Sequence, residues 1–274
     1  MSKLPIGVQV YSVRDDASAD FRGTMQKLKA MGYDGVELAG LYDIPAEEIR
    51  DILKEVGLVP VSAHVGLDEL LKEEILDQYV TIGCKYVAVP WLAEELRPAY
   101  PEAFLGVLEK VKKAGELCKK KGLILLYHNH DFEFVKMPDG RYGLDYMYET
   151  IPADLLQTEL DTCWVNVGGE NPAAYIKKYA GRCPVVHLKD FFMEGAKPKK
   201  MYELIGLEDD EEEETSGDRS TFEFRPVGHG LQDIPAIVTA AEESGAQWLI
   251  VEQDRSEVRP PLEAVEMSIK YLKG

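Results

Sequence analysis

The sequence predicts a single-domain α/β fold in which eight parallel strands alternate with helices and close into a (β/α)8 TIM barrel. Two observations carry this prediction. A unit of helical segment, glycine, short β-branched run and polar residue recurs along the chain. Eight such runs over about 250 residues also match the usual size of one barrel. A third observation removes the nearest competitor: a doubly wound open sheet would carry a glycine-rich loop after its first strand, and the loop here, YSVRDDASAD, has no glycine.

In chain order, the first strand is expected in IGVQVY. Phe21–Met31 then ends at Gly32, and Val36 leads to Glu37. Ala46–Val56 ends at Gly57, and LVPVSA leads to His64. Glu69–Ile82 ends at Gly83, and KYVAVP leads to Trp91. Pro101–Lys121 ends at Gly122, and LILLY leads to His128. LLQTELD runs to Asp161, PVVHLKD carries His187, and Ile234–Ser244 ends at Gly245 before QWLIV and Glu252. Glycine just past a helix supplies its left-handed cap. Short apolar runs without polar alternation suit strands buried on both faces. Alternating the two elements implies parallel pairing through right-handed crossovers.

Two insertions interrupt the repeat. FEFVKMPDGRYG (132–143) reads as a hairpin about a Pro-Asp-Gly turn after the fifth strand. Residues 191–226, which include EDDEEEE (208–214), read as a mobile, solvated acidic loop after the seventh strand, on the face where a lid would sit. The expected organisation is one barrel over 1–274 carrying that loop at 191–226.

A hydrophobic fraction of 45% supports a large core, and a formal net charge of −18 repels nucleic-acid phosphates and anionic membranes, so neither is an expected partner. Cys84, Cys118, Cys163 and Cys183 form no CxxC pair, which argues against a zinc ribbon or disulfide framework and for free thiols in a reducing compartment. MSKLPIGVQVYS lacks the marks of a secretory signal, and no apolar run approaches the ~20 residues of a spanning helix. A cytoplasmic location is expected; a homo-oligomer is left open.

Barrel active sites lie at the C-terminal strand ends. Those ends carry Glu37, His64, Trp91, His128 with His130, Asp161, His187 with Lys189, and Glu252 with Asp254, so four of the five histidines fall there. Side chains two apart share a face, which pairs Glu159 with Asp161 and His128 with His130. Asp161, His187 and Glu252 form an oxygen/nitrogen/oxygen set suited to one divalent ion, Mn²⁺, Co²⁺, Zn²⁺ or Mg²⁺. A fourth ligand is expected from the fifth strand.

VELAG (36–40), SAHVG (62–66), YHNHDFEF (127–134), LDTCW (160–164), HLKD (187–190), PVGHG (226–230) and VEQD (251–254) together resemble, in order, the motif series of the xylose-isomerase-like barrel superfamily, in its sugar phosphate isomerase/epimerase branch. The resemblance implies one metal held by an acid on strand five, Asp161, His187 and Glu252. Strand five departs from the pattern, with His128-Asn129-His130 where many members have Glu-Asn-His. Either His128 replaces the acid as ligand, which is preferred, or Glu133 supplies it. Trp164 stands where several relatives carry a histidine that touches substrate.

The chemistry expected on this basis is a metal-dependent isomerase or epimerase acting on a carbohydrate (a sugar, sugar phosphate or inositol derivative) through an enediolate. Glu252 would be the base, and His128, Glu133 or Lys189 would act on the other face. The alternative is a lyase that expels water or a glycosyl oxygen from a keto-sugar or keto-inositol, because epimerases of this type need two carboxylates on opposite faces. A non-catalytic sugar-binding protein and an abasic-site endonuclease are remote; the latter needs a three-zinc cluster with more histidines. Glu37 and His64 would bond substrate hydroxyls or hold His128, and Trp91, Phe132, His130 and Trp164 would meet the sugar. Arg14 is a candidate anion contact. Gly228-His229-Gly230 would lend backbone N–H groups to a phosphate or hydroxyl.

Overall fold

The computed structural model describes residues 2–195 and 221–274. Ten strands occur among them: β1 Ile6–Gln9, β2 Gly35–Ala39, β3 Val59–His64, β4 Tyr86–Val89, β5 Ile124–His128, β6 Gln157–Asp161, β7 Val185–Leu188, β8 Asp190–Glu194, β9 Thr221–Arg225 and β10 Trp248–Val251. Strands β1 to β7 and β10 pair in parallel and form a closed barrel, with β10 between β7 and β1. The eight strands expected from the sequence are therefore the barrel strands, and the helix-ending glycines Gly32, Gly57, Gly83 and Gly122 are left-handed caps. No helix among the described residues is long and apolar enough to cross a membrane. The four cysteines are free and buried.

The expected helix Glu69–Ile82 is in fact two, Leu67–Leu70 and Glu73–Ile82, with Lys72 extended between them. The second starts with Glu73 and Glu74, acids that its N-terminal dipole favours. The apolar spacing runs on across the break, so periodicity alone fuses the two. The hairpin expected at 132–143 is confined to an antiparallel bridge between Lys136 and Tyr142, while Phe132–Phe134 is a 3-10 turn.

The ends of the segment expected as an acidic loop are the antiparallel ribbon β8–β9. TFEFR alternates phenylalanine with polar residues, DFFME sets Phe191 and Phe192 side by side, and Phe191 and Phe222 pack in a cluster with Cys163 and Trp164. Burying those rings stabilises a ribbon where charge counting suggested only a solvated loop. The EDDEEEE block lies outside the described residues.

An apolar layer of Val61, Tyr86, Ala88, Leu126, Val185 and Ile250 fills the barrel interior. Trp248 packs against this layer, and Gly35 leaves it room: a Cβ there would lie 2.7 Å from Val59 O and 3.1 Å from the Trp248 ring. Two residues beyond Leu126, Val185 and Ile250 stand His128, His187 and Glu252. The strand period of two thus stacks polar groups directly on the packed layer.

Candidate active site

Four side chains from four strand ends converge above that layer. His128, Asp161, His187 and Glu252 each place one ligand atom within 4.8 Å of the others, and all four are buried. His187 Nδ1 lies 2.9 Å from Glu252 Oε2, and His128 Nε2 lies 3.7 Å from Asp161 Oδ2 and 3.8 Å from Glu252 Oε2. Two carboxylates and two imidazoles form a borderline nitrogen/oxygen set with no thiolate. Asp161 Oδ2 accepts no hydrogen bond of normal geometry among the described residues, as suits an atom aimed at a cation. The residues fit a divalent ion.

A second layer lies beneath, on the opposite nitrogens of the same two imidazoles. His187 Nε2 is 2.8 Å from Glu37 Oε1 and 3.3 Å from Glu159 Oε1, and His128 Nδ1 is 3.3 Å from Glu159 Oε1. His64 Nε2 ties the two acids together, 2.7 Å from Glu159 and 3.0 Å from Glu37. Glu37 also accepts from Gln9 Nε2 at 2.7 Å and from Ser62 Oγ. His64, His128, Glu159 and His187 likewise lie close enough to hold an ion. Yet His64 is already committed to both carboxylates, which suits a carboxylate–imidazole support that orients the ligands above.

Burial and charge oppose one another at the carboxylates and at His64 and His187, and act together at His128 and His130. Burial pushes Glu37 up, but His64 and His187 outweigh it and hold its carboxyl well below the usual range. Burial lowers His64 and His187, yet the neighbouring carboxylates win, raising His64 to about 10 and His187 well above its ordinary value. Burial, reinforced by His187 and His64, takes His128 well below it; burial and Lys189 do the same to His130. Burial raises Asp161 to about 6 against the pull of Lys189. Glu252 is lowered because Lys189 and His187 outweigh its burial.

Lys189 is 1% exposed and bridges the carboxylates. Its Nζ lies 3.1 Å from Asp161 Oδ2, 3.1 Å from Glu252 Oε2 and 3.0 Å from Asp254 Oδ2. A cavity of about 300 Å³ opens above, lined by His64, His128, His130, Trp91, Lys189, Glu252 and Asp254, with Tyr11, Ala39 and Pro90. Trp91 meets His130 edge-on at 4.7 Å, Phe132 stacks on His130 at 5.4 Å, and Trp91 and Phe132 meet each other edge-on at 5.3 Å, so the three rings form a triangle.

Other expected positions fall elsewhere. Glu133 is outside the ligand group: it is buried, accepts from Tyr127 Oη at 2.6 Å and from His130 N at 2.8 Å, and burial raises its carboxyl to about 7. Glu37 supports the ligands and does not line the cavity. Trp164 is fully buried behind it, 5.3 Å from the His130 ring. His229 is exposed and packs on Tyr271. The turn around it lends no amide to a ligand, because Gly228 N, Gly230 N and Gln232 N all donate to the Asp190 carboxylate. Arg14 Nη1 donates to the carbonyls of Tyr11 and Asp254, each at 2.9 Å, and so braces two loops. Glu159, Gln9 and Asp254 carried no assigned role from the sequence. The signal for Glu159 was present: an acid inside an apolar strand, two residues before Asp161 and on its face.

A family model described as xylose isomerase-like TIM barrel matches residues 25–274. Among curated proteins, an inosose dehydratase of Clostridium beijerinckii is 29% identical over 168 residues, 60% of this chain and 51% of the relative. The chain thus spans about half the length of that relative. An inosose dehydratase of Geobacillus kaustophilus is 22% identical over 90% of this chain and 85% of the relative. A sugar phosphate isomerase/epimerase structure from Parabacteroides distasonis superposes with TM-score 0.77 at 21% identity, over 100% of this chain and 94% of that one. The IolI protein with a bound zinc atom superposes with TM-score 0.68 at 17% identity, over 98% and 96% of the two chains. At these identities the structural likenesses establish the fold alone.

Proposed function

The chain belongs to the xylose isomerase-like TIM barrel family, and from that premise we propose that it is a divalent-metal-dependent lyase which removes water, or a glycosyl oxygen, from an uncharged keto-sugar or keto-inositol. The observation that carries this reading is the one-sided supply of carboxylates. Glu252 and Asp254 line the cavity from the β10 end, whereas the β4–β5 side facing it across the barrel offers Trp91, His128 and His130. Glu133, the acid the sequence offered on that side, is turned into the protein. An epimerase that works between two carboxylates on opposite faces finds no second one facing Glu252 and Asp254 among the described residues that line the cavity. The names of the curated relatives agree with a dehydratase.

Asp161, His187, Glu252 and His128 would hold the ion, whose identity is left open among Mn²⁺, Co²⁺, Zn²⁺ and Mg²⁺. Such an ion supplies Lewis-acid stabilisation of developing negative charge. Glu252 serves as ligand more than as base, since Oε2 already faces His187 and Lys189. His130, which lines the cavity and packs against both Trp91 and Phe132, is placed to take the proton from the carbon beside the ketone and return it to the β-oxygen that departs. The C–H electrons become the new double bond as the C–O bond breaks, and the imidazole ends neutral. Trp91, which lines the cavity, shields the reacting carbons from water. The lining holds one ammonium and no guanidinium among the described residues, which favours an uncharged substrate over a phosphate ester.

Isomerase or epimerase action is the second reading, favoured by one observation: His130 stands opposite Glu252 and supplies a group for each face. Incubation with Mn²⁺ and a keto-inositol or 3-keto-glycoside separates the two. Enone absorbance with loss of water or aglycone is expected, and His130→Ala should abolish it with Mn²⁺ still bound. Solvent-deuterium exchange with epimer formation and no enone would overturn the lyase.

A further inference from the structure

We propose that Lys189 and the metal ion compete for the same two carboxylate oxygens, and that Asp254 is the positioning residue that receives Lys189 when the ion binds. This rests on the reading that Asp161, His187, Glu252 and His128 hold the ion. The Lys189 ammonium lies 3.1 Å from both Asp161 Oδ2 and Glu252 Oε2, which are themselves members of the ligand group. A metal bonded to those oxygens at about 2.1 Å sits within about 5 Å of an ammonium that keeps both contacts, whatever the angle. A doubly charged ion and an ammonium at that range, in a buried site, repel strongly.

The surroundings leave the ammonium one carboxylate of its own. Trp164 and Phe224 place their ring centres 5.3 and 5.7 Å from Nζ and offer no anionic oxygen. Asp254 Oδ2, at 3.0 Å, lies outside the ligand group and borders the cavity, as Lys189 itself does. Metal loading therefore passes Lys189 from a three-carboxylate cage to Asp254 and turns its charge toward the substrate. Lysine and metal act in sequence on one pair of oxygens: the lysine neutralises the buried acids until the ion takes them over.

Equilibrium dialysis against Mn²⁺ alone tests this on the full chain. Lys189→Met should bind Mn²⁺ at least about ten-fold more tightly than the native protein, because the competing charge is gone. Lys189→Gln is the substitute if the methionine variant does not fold, with the same expectation. Asp254→Asn should weaken binding several-fold, and that loss should vanish when Lys189→Met is already present. A weakening that persists in the double variant would mean that Asp254 acts only as a nearby charge, and would overturn its positioning role. Equal or weaker binding by Lys189→Met, with binding still abolished in His187→Ala, would overturn the competition and leave the metal site intact. Native-like binding by His187→Ala would remove the metal site, and the inference with it.

Discussion

A histidine at the end of the fifth strand, where the motif series leads one to expect an acid, changes what the residues around it must do. His128 brings no negative charge to the ligand group, and Glu159, one strand over and 3.3 Å from its Nδ1, restores an acid beneath it. A carboxylate behind an imidazole fixes the tautomer that leaves Nε2 open and makes that nitrogen more basic. His128→Ala should accordingly lose most Mn²⁺ affinity, measured by dialysis; full occupancy would show that three ligands suffice. Glu133 carries a separate, structural prediction. Burial raises its carboxyl to about 7 from an ordinary 4.5, so the unfolded chain releases this proton while the folded protein still holds it. The group favours the fold most below pH 4.5, and its contribution declines by about 3 kcal/mol as the pH rises through 7. In Glu133→Gln that decline should be missing from urea-unfolding free energies measured at pH 4.5 and 7.5. An unchanged slope would place the ionisation elsewhere.

At the scale of elements, the ribbon β8–β9 and the 228–232 turn depend on one carboxylate. Asp190 accepts from the backbone N–H groups of Phe191, Gly228, Gly230 and Gln232. Gly230 allows the close approach: a Cβ there would lie 2.2 Å from Asp190 Oδ1 and 2.4 Å from Phe191 O. Asp190→Ala strands several amides at once, at a cost of about 2–4 kcal/mol. Hydrogen exchange should find the amides of 228–232 deprotected while those of β5 and β6 keep their protection. Uniform loss of protection would instead mean that Asp190 supports the whole barrel. Because Lys189 is its chain neighbour and Gln232 Nε2 donates to the Lys189 carbonyl at 3.3 Å, this anchor also fixes where the lysine enters the site.

At the scale of the whole molecule, the barrel gathers Glu37, Glu159, Asp161, Glu252 and Asp254 in one buried region, balanced by Lys189 and the imidazoles. Binding of a divalent ion should stabilise the fold by about 2.7 kcal/mol at a hundred-fold excess over its dissociation constant. For a chain of this size that corresponds to a rise in Tm of roughly 5–10 °C. Calorimetry with Mn²⁺ and with a chelator would register it, and His187→Ala should lose the shift; a shift surviving that substitution would locate the ion elsewhere. The sequence by itself determined the barrel, its eight strands and the ligand candidates Asp161, His187, Glu252 and His128. The unbroken apolar run that buries a strand on both faces and the two-residue step that points a side chain inward are both written into consecutive residues. Barrel closure decided the rest. Glu37 of β2 meets His187 of β7 across the interior, Lys189 meets three acids, and Asp190 claims the amides of a turn forty residues away. The same closure left His229 on the surface, although its glycine-flanked motif reads like a site. Contacts between distant strands follow from their tilt and stagger around the barrel axis, which no single segment encodes.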